Sequence, residues 1–306
     1  MSIKPWIEAM RLRTLPVSVA GVLAGLACAL AYGAIRPAPF VICLCFAIVA
    51  QIVSNFANEY YDYKNGLDKK GREGFRRGVT EGDISPRAMK RATYALLAAD
   101  CLLGCTLIIW GGWWLIAVGV LIAVFAIAYS TGPFPLSHRG LGDVAVVIFF
   151  GIVPVMFTSY LCGGTWENWR LSLPVGFAIG LLAANVLIVN NYRDVDDDRI
   201  VGKYTTVVIF GKKIMALIYA INFSLAVTTL ALFSLTFASP WWLFGWAVTE
   251  ILYIFVWIKM IRSEGAALNQ VLKFTALLML LSCGLLLIAS TVPHDNQSFI
   301  DAIQLY

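Results

Sequence analysis

The sequence predicts an all-α integral membrane protein, with about nine transmembrane helices around one central cavity open to the cytoplasmic side and the N-terminus inside. Three observations predict it. First, the 306 residues are 60% hydrophobic and only 13% charged, with a mean hydropathy of +0.79, far less charge than a soluble chain of this length carries. Second, apolar runs near 20 residues recur along the chain, each long enough to cross about 30 Å of hydrocarbon. The short segments of alternating polarity that a β-barrel needs are absent. Third, the basic residues sort by side. With the N-terminus cytoplasmic, 21 of the 23 Lys and Arg fall on cytoplasmic segments and only Arg36 and Arg170 fall outside, the asymmetry that orients helical membrane proteins.

The spans are expected at 14–33, 39–61, 88–109, 113–131, 143–162, 173–192, 213–236, 240–261 and 268–291. Together they make one transmembrane domain over 1–306. The N-terminal stretch carries Glu8 among its bases and shows no clear small-residue cleavage site, so it reads as retained and not as a signal peptide. Gly111-Gly112 and Ser239-Pro240 mark two short turns. The links after the second, fourth and sixth spans are longer and polar. Trp110, Trp113, Trp114, Trp241, Trp242 and Trp246 read as an aromatic belt at the outer interface. The C-terminal tail from Pro293 has no Lys or Arg, which suits an odd number of spans.

Composition excludes several functions. The seven cysteines form no CxxC pair and read as small apolar packing residues. Two histidines, His138 and His294, cannot make a histidine-ligated zinc or haem site. The net charge of +5 is the ordinary inside bias. With no soluble basic domain and no recognisable motif, nucleic acid is not an expected partner; membrane lipid is.

Two stretches carry chemistry. Asn55 to Asp68 reads NFANEYYDYKNGLD, and Asn190 to Thr205 reads NNYRDVDDDRIVGKYT. Each lies where a long apolar run ends. Asn58 and Asp62 are i and i+4, on one helix face, with Asp68 just beyond. Asn191, Asp194 and Asp198 are i, i+3 and i+7, again one face. The two form a weak internal repeat, Asn58-x-x-x-Asp62 against Asn191-x-x-Asp194. If the spans are neighbours, Asp62, Asp68, Asp194 and Asp198 converge and repel, and need a cation. Oxygen ligands without His or Cys point to Mg²⁺, which shares its shell with phosphate oxygens. Asn58 and Asn191 add a neutral ligand or a donor to phosphate. Lys64, Arg72, Arg76, Arg77, Arg193, Arg199 and Lys203 surround the acids, and Arg suits bidentate phosphate contacts. Acids with bases around them make a diphosphate site. By helical spacing Asp196 points away to solvent, and Asp197 is borderline and read as solvated.

Two further stretches border this site. Arg11-Leu-Arg13-Thr14-Leu15-Pro16 opens the first span; two arginines there ordinarily anchor it, and Arg13 is the one expected to turn to the cavity. The Gly/Pro-rich link from Tyr129 to Asp143, YSTGPFPLSHRGLGD, reads as a lid or a plain turn, with Asp143 capping the helix that follows. Some of the aromatics can line a channel for a long isoprenoid.

These four stretches, 11–16, 55–68, 129–143 and 190–205, resemble the UbiA superfamily of intramembrane prenyltransferases. The finer likeness is to the branch that prenylates 1,4-dihydroxy-2-naphthoate in menaquinone synthesis. It covers residues 11 to about 212 and fades over the last three spans. Six positions separate Asp62 from Asp68 where four is commoner in the superfamily, a spacing that the naphthoate branch tends to show. The resemblance implies an enzyme of the bacterial inner membrane, with its site facing the cytoplasm, that transfers a polyprenyl group from an allylic polyprenyl diphosphate to 1,4-dihydroxy-2-naphthoate. CO₂ and diphosphate are lost and demethylmenaquinone forms. Asn58, Asp62 and Asp68 would hold one Mg²⁺, and Asp194 and Asp198 a second. Arg76, Arg77, Lys203 and Arg139 would neutralise the diphosphate, Tyr129 would face the allylic cation, and Arg13 would contact the aromatic acid. Two alternatives stay open: another acceptor, such as 4-hydroxybenzoate, a chlorophyllide or haem, and an ion-coupled transporter using buried acids and an internal repeat.

Overall fold

The computed structural model describes residues 3–33, 35–68, 70, 76–133, 135–163, 165–166, 169–236 and 238–291. Arg72, His294 and the tail from Pro293 lie outside them. A short helix, α1 (Lys4–Met10), leads into α2 (Leu15–Ala31). There follow α3 (Pro37–Lys64), α4 (Pro86–Cys105), α5 (Leu115–Ala128), α6 (Gly142–Leu161), α7 (Trp169–Ile200), α8 (Thr206–Leu235), α9 (Trp242–Ile261) and α10 (Leu268–Ser290). No β-strand forms among the described residues. Among the described residues, eight helical stretches are long and apolar enough to cross a membrane. The ninth expected span, 113–131, appears as the 14-residue apolar helix α5.

Sequence dictates where these helices begin and end. Pro37 starts α3 and Pro86 starts α4, where their missing N–H costs nothing, and Ser85 caps α4 by accepting the Ala88 N–H at 3.2 Å. Gly211 has a φ of 82°, which separates Thr206–Phe210 from the rest of α8. The span therefore starts where expected, just beyond Gly211. The two motif helices end alike. In α3, Gly66 is left-handed and the Leu67 N–H reaches the Asp62 carbonyl at 2.9 Å; in α7, Gly202 is left-handed and the Lys203 N–H reaches the Asp198 carbonyl at 2.8 Å. Both are the glycine-closed cap that satisfies orphan carbonyls. The caps correct the sequence alignment of the repeat: Asp62 corresponds to Asp198, and Asp194 lies one turn further in.

The most enclosed helix is α7, and the core forms around it from α2, α6, α8 and α10. Two G-x-x-x-G patterns make this possible. Gly21 and Gly25 of α2 lie against Phe150, Pro154 and Thr158 of α6, and Gly176 and Gly180 of α7 meet the other side of α6 at Val147 to Ile152. Small residues let helix backbones approach closely in a membrane. In α6 the turn at Val147–Ile152 widens to a π-helix, the local form that absorbs such crowding. A Cβ on Gly180 would sit 2.5 Å from the Val147 carbonyl oxygen. Gly180→Leu is therefore expected to destabilise the protein by roughly 1–3 kcal/mol or more, read as a lowered melting temperature in detergent, with Gly119→Leu, whose Cβ would meet nothing within 4 Å, unchanged.

Trp246 corrects the outer belt. It is 2% exposed and its indole N–H donates to Ser234 Oγ at 3.1 Å, while Trp113 and Trp241 are 77% and 86% exposed. On α9 it shares a buried face with Thr249 and Tyr253, so helical phase turns it inward.

Links on the same predicted side touch one another. The Arg36 N–H bonds the Cys162 carbonyl at 2.7 Å, joining the first and fifth links. At the other end, the Tyr204 N–H bonds the His138 carbonyl at 3.2 Å, and Arg76 reaches Glu8. All seven cysteines are free; Cys28, Cys43, Cys162 and Cys283 are buried as packing residues, whereas Cys45, Cys101 and Cys105 are exposed on the helix surface.

Candidate active site

The site lies where the ends of α3 and α7 meet the link before α6. Its centre is Asp62, 1% exposed. Three bases face it: His138 Nε2 at 3.4 Å, Arg77 Nη2 at 3.6 Å and Lys203 Nζ at 3.9 Å. Arg77 also spans to Asp68, with Nε 3.4 Å from Oδ2. A cavity of about 10 Å³ is lined by Asp62, Asp68, Asp197, Asp198 and Lys203. The two acidic helix ends, separated by more than a hundred residues in the chain, therefore meet.

Arg77 is held there by Glu59. This carboxylate is fully buried, and its Oε1 accepts the Val79 N–H at 3.0 Å. That bond pins the turn Gly78–Glu81. Arg77, extended just before it, points back at the acids. Arg76, next in the chain, points the opposite way and pairs with Glu8 and Asp83 at the surface.

Beside the acidic centre opens a larger cavity of about 150 Å³. Arg11, Asn58, Arg77, Asn191, Asp194 and Lys203 line its polar end, and Val17, Val146, Phe150 and Leu187 its apolar part. Arg11 donates to Asn58 Oδ1 at 2.8 Å, and Asn58 Nδ2 donates to Ser130 Oγ at 3.3 Å. Tyr129 lines the same space. Its hydroxyl can donate a hydrogen bond there.

Asp194 is 4% exposed and is gripped by its neighbour: Arg193 Nε and Nη2 donate to its two oxygens at 2.7 and 2.8 Å. Arg193 is buried too, and also donates to Asn190 and Asn269, each at 2.8 Å. The four acids thus divide. Asp62, Asp68 and Asp198 share the small cavity, whereas Asp194, one turn away along α7, looks into the large one.

Other expected residues land elsewhere. Arg13 is exposed and does not line the cavity; Arg11, in a left-handed turn with φ 51°, takes that place. Arg139 is exposed and its backbone bridges to Tyr204. Asp143 makes no cap bond; it accepts the Thr206 hydroxyl at 2.6 Å and lines the large cavity. Asp196 is exposed beside Arg199, as its spacing predicted, but Asp197 lines the small cavity. His138 escaped the sequence reading, since one histidine in a link carries no pattern.

Among the described residues, no three Asp, Glu, His or Cys side chains stand close enough together to hold a metal ion as they are, because Arg77 and Lys203 reach in among the acids. The residues nevertheless fit one. Among the described residues, Asp62 Oδ1 is buried with no hydrogen-bond partner, His138 Nε2 standing 3.4 Å away without the geometry of a hydrogen bond. The surrounding carboxylates offer only oxygen, the donor set that hard divalent cations prefer.

Acids and bases at the mouth of a half-apolar cavity inside a helical membrane protein are what an intramembrane enzyme acting on a diphosphate requires. The chain belongs to the UbiA prenyltransferase family, whose model matches residues 18–282 and so runs well past residue 212. It is 38% identical over 247 residues to the 1,4-dihydroxy-2-naphthoate octaprenyltransferase of Escherichia coli, covering 79% of each chain. It is 33% identical to the Haemophilus influenzae protein of the same name, covering 93% of this chain and 96% of that one. In fold it is similar to a UbiA homolog from Archaeoglobus fulgidus bound to GPP and Mg²⁺, with a TM-score of 0.64 at 17% identity over 94% of this chain and all of the other. An apo UbiA homolog from Aeropyrum pernix K1 matches at 0.65 and 14% identity, over 94% and 98% of the two chains. Family membership removes the transporter alternative.

Proposed function

We propose that this protein transfers a polyprenyl group from an allylic polyprenyl diphosphate to 1,4-dihydroxy-2-naphthoate, at a site facing the cytoplasm of a bacterial inner membrane, the whole chain acting as one transmembrane unit. The observation that carries the reading is the meeting of Asp62, Asp68 and Asp198 around one small cavity, with Arg77 and Lys203 among them. The relatives' names supply the acceptor.

The chain's own residues divide the work. Asp62, Asp68 and Asp198 would hold Mg²⁺, with Asn58 as a neutral ligand; bound there, the ion supplies positive charge to the diphosphate oxygens. Arg77 and Lys203 move from carboxylate to diphosphate and stabilise the charge that develops as the C–O bond breaks. Arg76 and Arg139 have no such part unless their links rearrange. The apolar walls keep water from the allylic carbon, and Tyr129 faces it with a neutral ring and hydroxyl. An electron-rich ring carbon forms the new C–C bond, and its carboxyl group leaves as CO₂. The product is the quinol of demethylmenaquinone.

A membrane assay with labelled polyprenyl diphosphate, Mg²⁺ and 1,4-dihydroxy-2-naphthoate tests this, with 4-hydroxybenzoate in parallel. Prenylated naphthoquinol with CO₂ release is expected, abolished by EDTA and restored by Mg²⁺. Product with 4-hydroxybenzoate alone would overturn the acceptor, and full activity in chelator would overturn the metal.

A further inference from the structure

Gln51 lies on α3 two turns before Asn58, 9% exposed, in the wall of the large cavity. A chain of three amides determines which way its side chain faces. The Met10 carbonyl can only accept, so the Asn55 group 3.0 Å from it is the NH₂, and Asn55 Oδ1 is turned the other way. That oxygen can also only accept, so the Gln51 group 3.4 Å from it is again the NH₂, which lies 3.4 Å from Thr14 Oγ1 as well. Gln51 Oε1 is left as a buried acceptor with no hydrogen-bond partner among the described residues. Leaving such a group unpaired is costly, and native proteins rarely do so without a ligand or water to complete it.

We infer that Gln51 Oε1 accepts a hydrogen bond from a hydroxyl on the aromatic acceptor, and so selects a ring that carries a hydroxyl donor there. This rests on the transferase reading above and deepens it. The chemistry is specific. An acceptor-only oxygen, fixed by its own NH₂, pairs with a donor and repels a carboxylate or a ring ether. The acid group of the acceptor is thereby steered to a base, and Arg11 lies in the same cavity wall, bonded to Asn58. A carboxylate at Arg11 and a hydroxyl at Gln51 would fix the ring at two points, leaving the apolar part of the cavity to the prenyl chain.

The test uses the full-length protein in membranes and three ligands: 1,4-dihydroxy-2-naphthoate as substrate, and 1-hydroxy-2-naphthoate and 4-hydroxy-2-naphthoate as competitors, each lacking one hydroxyl. The unaltered protein is expected to bind one competitor at least tenfold more weakly than the other. Gln51→Met is expected to raise the acceptor KM roughly tenfold and to erase that difference, with the KM for polyprenyl diphosphate within twofold of normal. That second KM reports whether the variant is folded, and the competitor comparison on the unaltered protein needs no variant. Equal binding of the two competitors, or a Gln51→Met protein that keeps the difference, would overturn the inference. No turnover of 1,4-dihydroxy-2-naphthoate by the unaltered protein would instead overturn the transferase reading on which it rests.

Discussion

Asp62→Ala is expected to lower turnover by on the order of a thousandfold or more while the protein still inserts and folds. Asp62 is faced by three bases, His138, Arg77 and Lys203. It is also a candidate ligand whose Oδ1 makes no hydrogen bond among the described residues. Its removal takes away the group around which both helix ends are arranged, yet Asp68 remains beside Arg77 to balance its charge. The loss should therefore appear in turnover, measured with labelled polyprenyl diphosphate, and much less in the melting temperature. Asp62→Asn should be as inactive, since a neutral amide restores shape without charge. Ordinary activity in either variant would overturn the placement of the diphosphate here.

Asp194→Ala should behave differently, although the sequence presents the two aspartates as equivalent. Arg193 and Asp194 are almost wholly buried, with side-chain exposures of 1% and 4%. Truncating one partner of a buried pair leaves a charge without its counter-ion, which costs about 3–5 kcal/mol. The expected result is a protein that melts early as well as one that fails to turn over. Replacing both residues at once, Arg193→Met with Asp194→Leu, should recover much of the melting temperature, because a matched apolar pair removes the stranded charge. Activity should stay lost, since both residues line the cavity. Melting in detergent and turnover, measured on the three proteins, separate the outcomes. A stable Asp194→Ala protein would refute the structural role of the pair.

How much of this was legible in the sequence follows from how local each feature is. Helical phase depends only on spacing along one segment. Hence Asn58 and Asp62 on one face, Asp196 turned outward and the spans near their expected places were all readable from the chain. The meeting of the two acidic ends was legible only on the condition that their spans are neighbours, and the structure brings Asp62, Asp68 and Asp198 together while Asp194 faces the larger cavity. The resemblance carried by 55–68 and 190–205 led to the family because the pattern is contiguous.

What only the tertiary structure decided is which neighbour in a loop faces the site. Arg76 and Arg77 are adjacent and chemically identical, but Glu59 bonds Val79 and turns Arg77 inward. Arg11 displaces Arg13 because the chain takes a left-handed turn at residue 11. His138 reaches Asp62 because its link pairs with Tyr204 of another link, the one between α7 and α8. Gln51 faces the cavity as an acceptor because Met10, 41 positions earlier, sets Asn55. Local sequence encodes the turn of a helix, whereas these choices are made by hydrogen bonds between segments far apart in the chain, whose partners have no position until the fold brings them together.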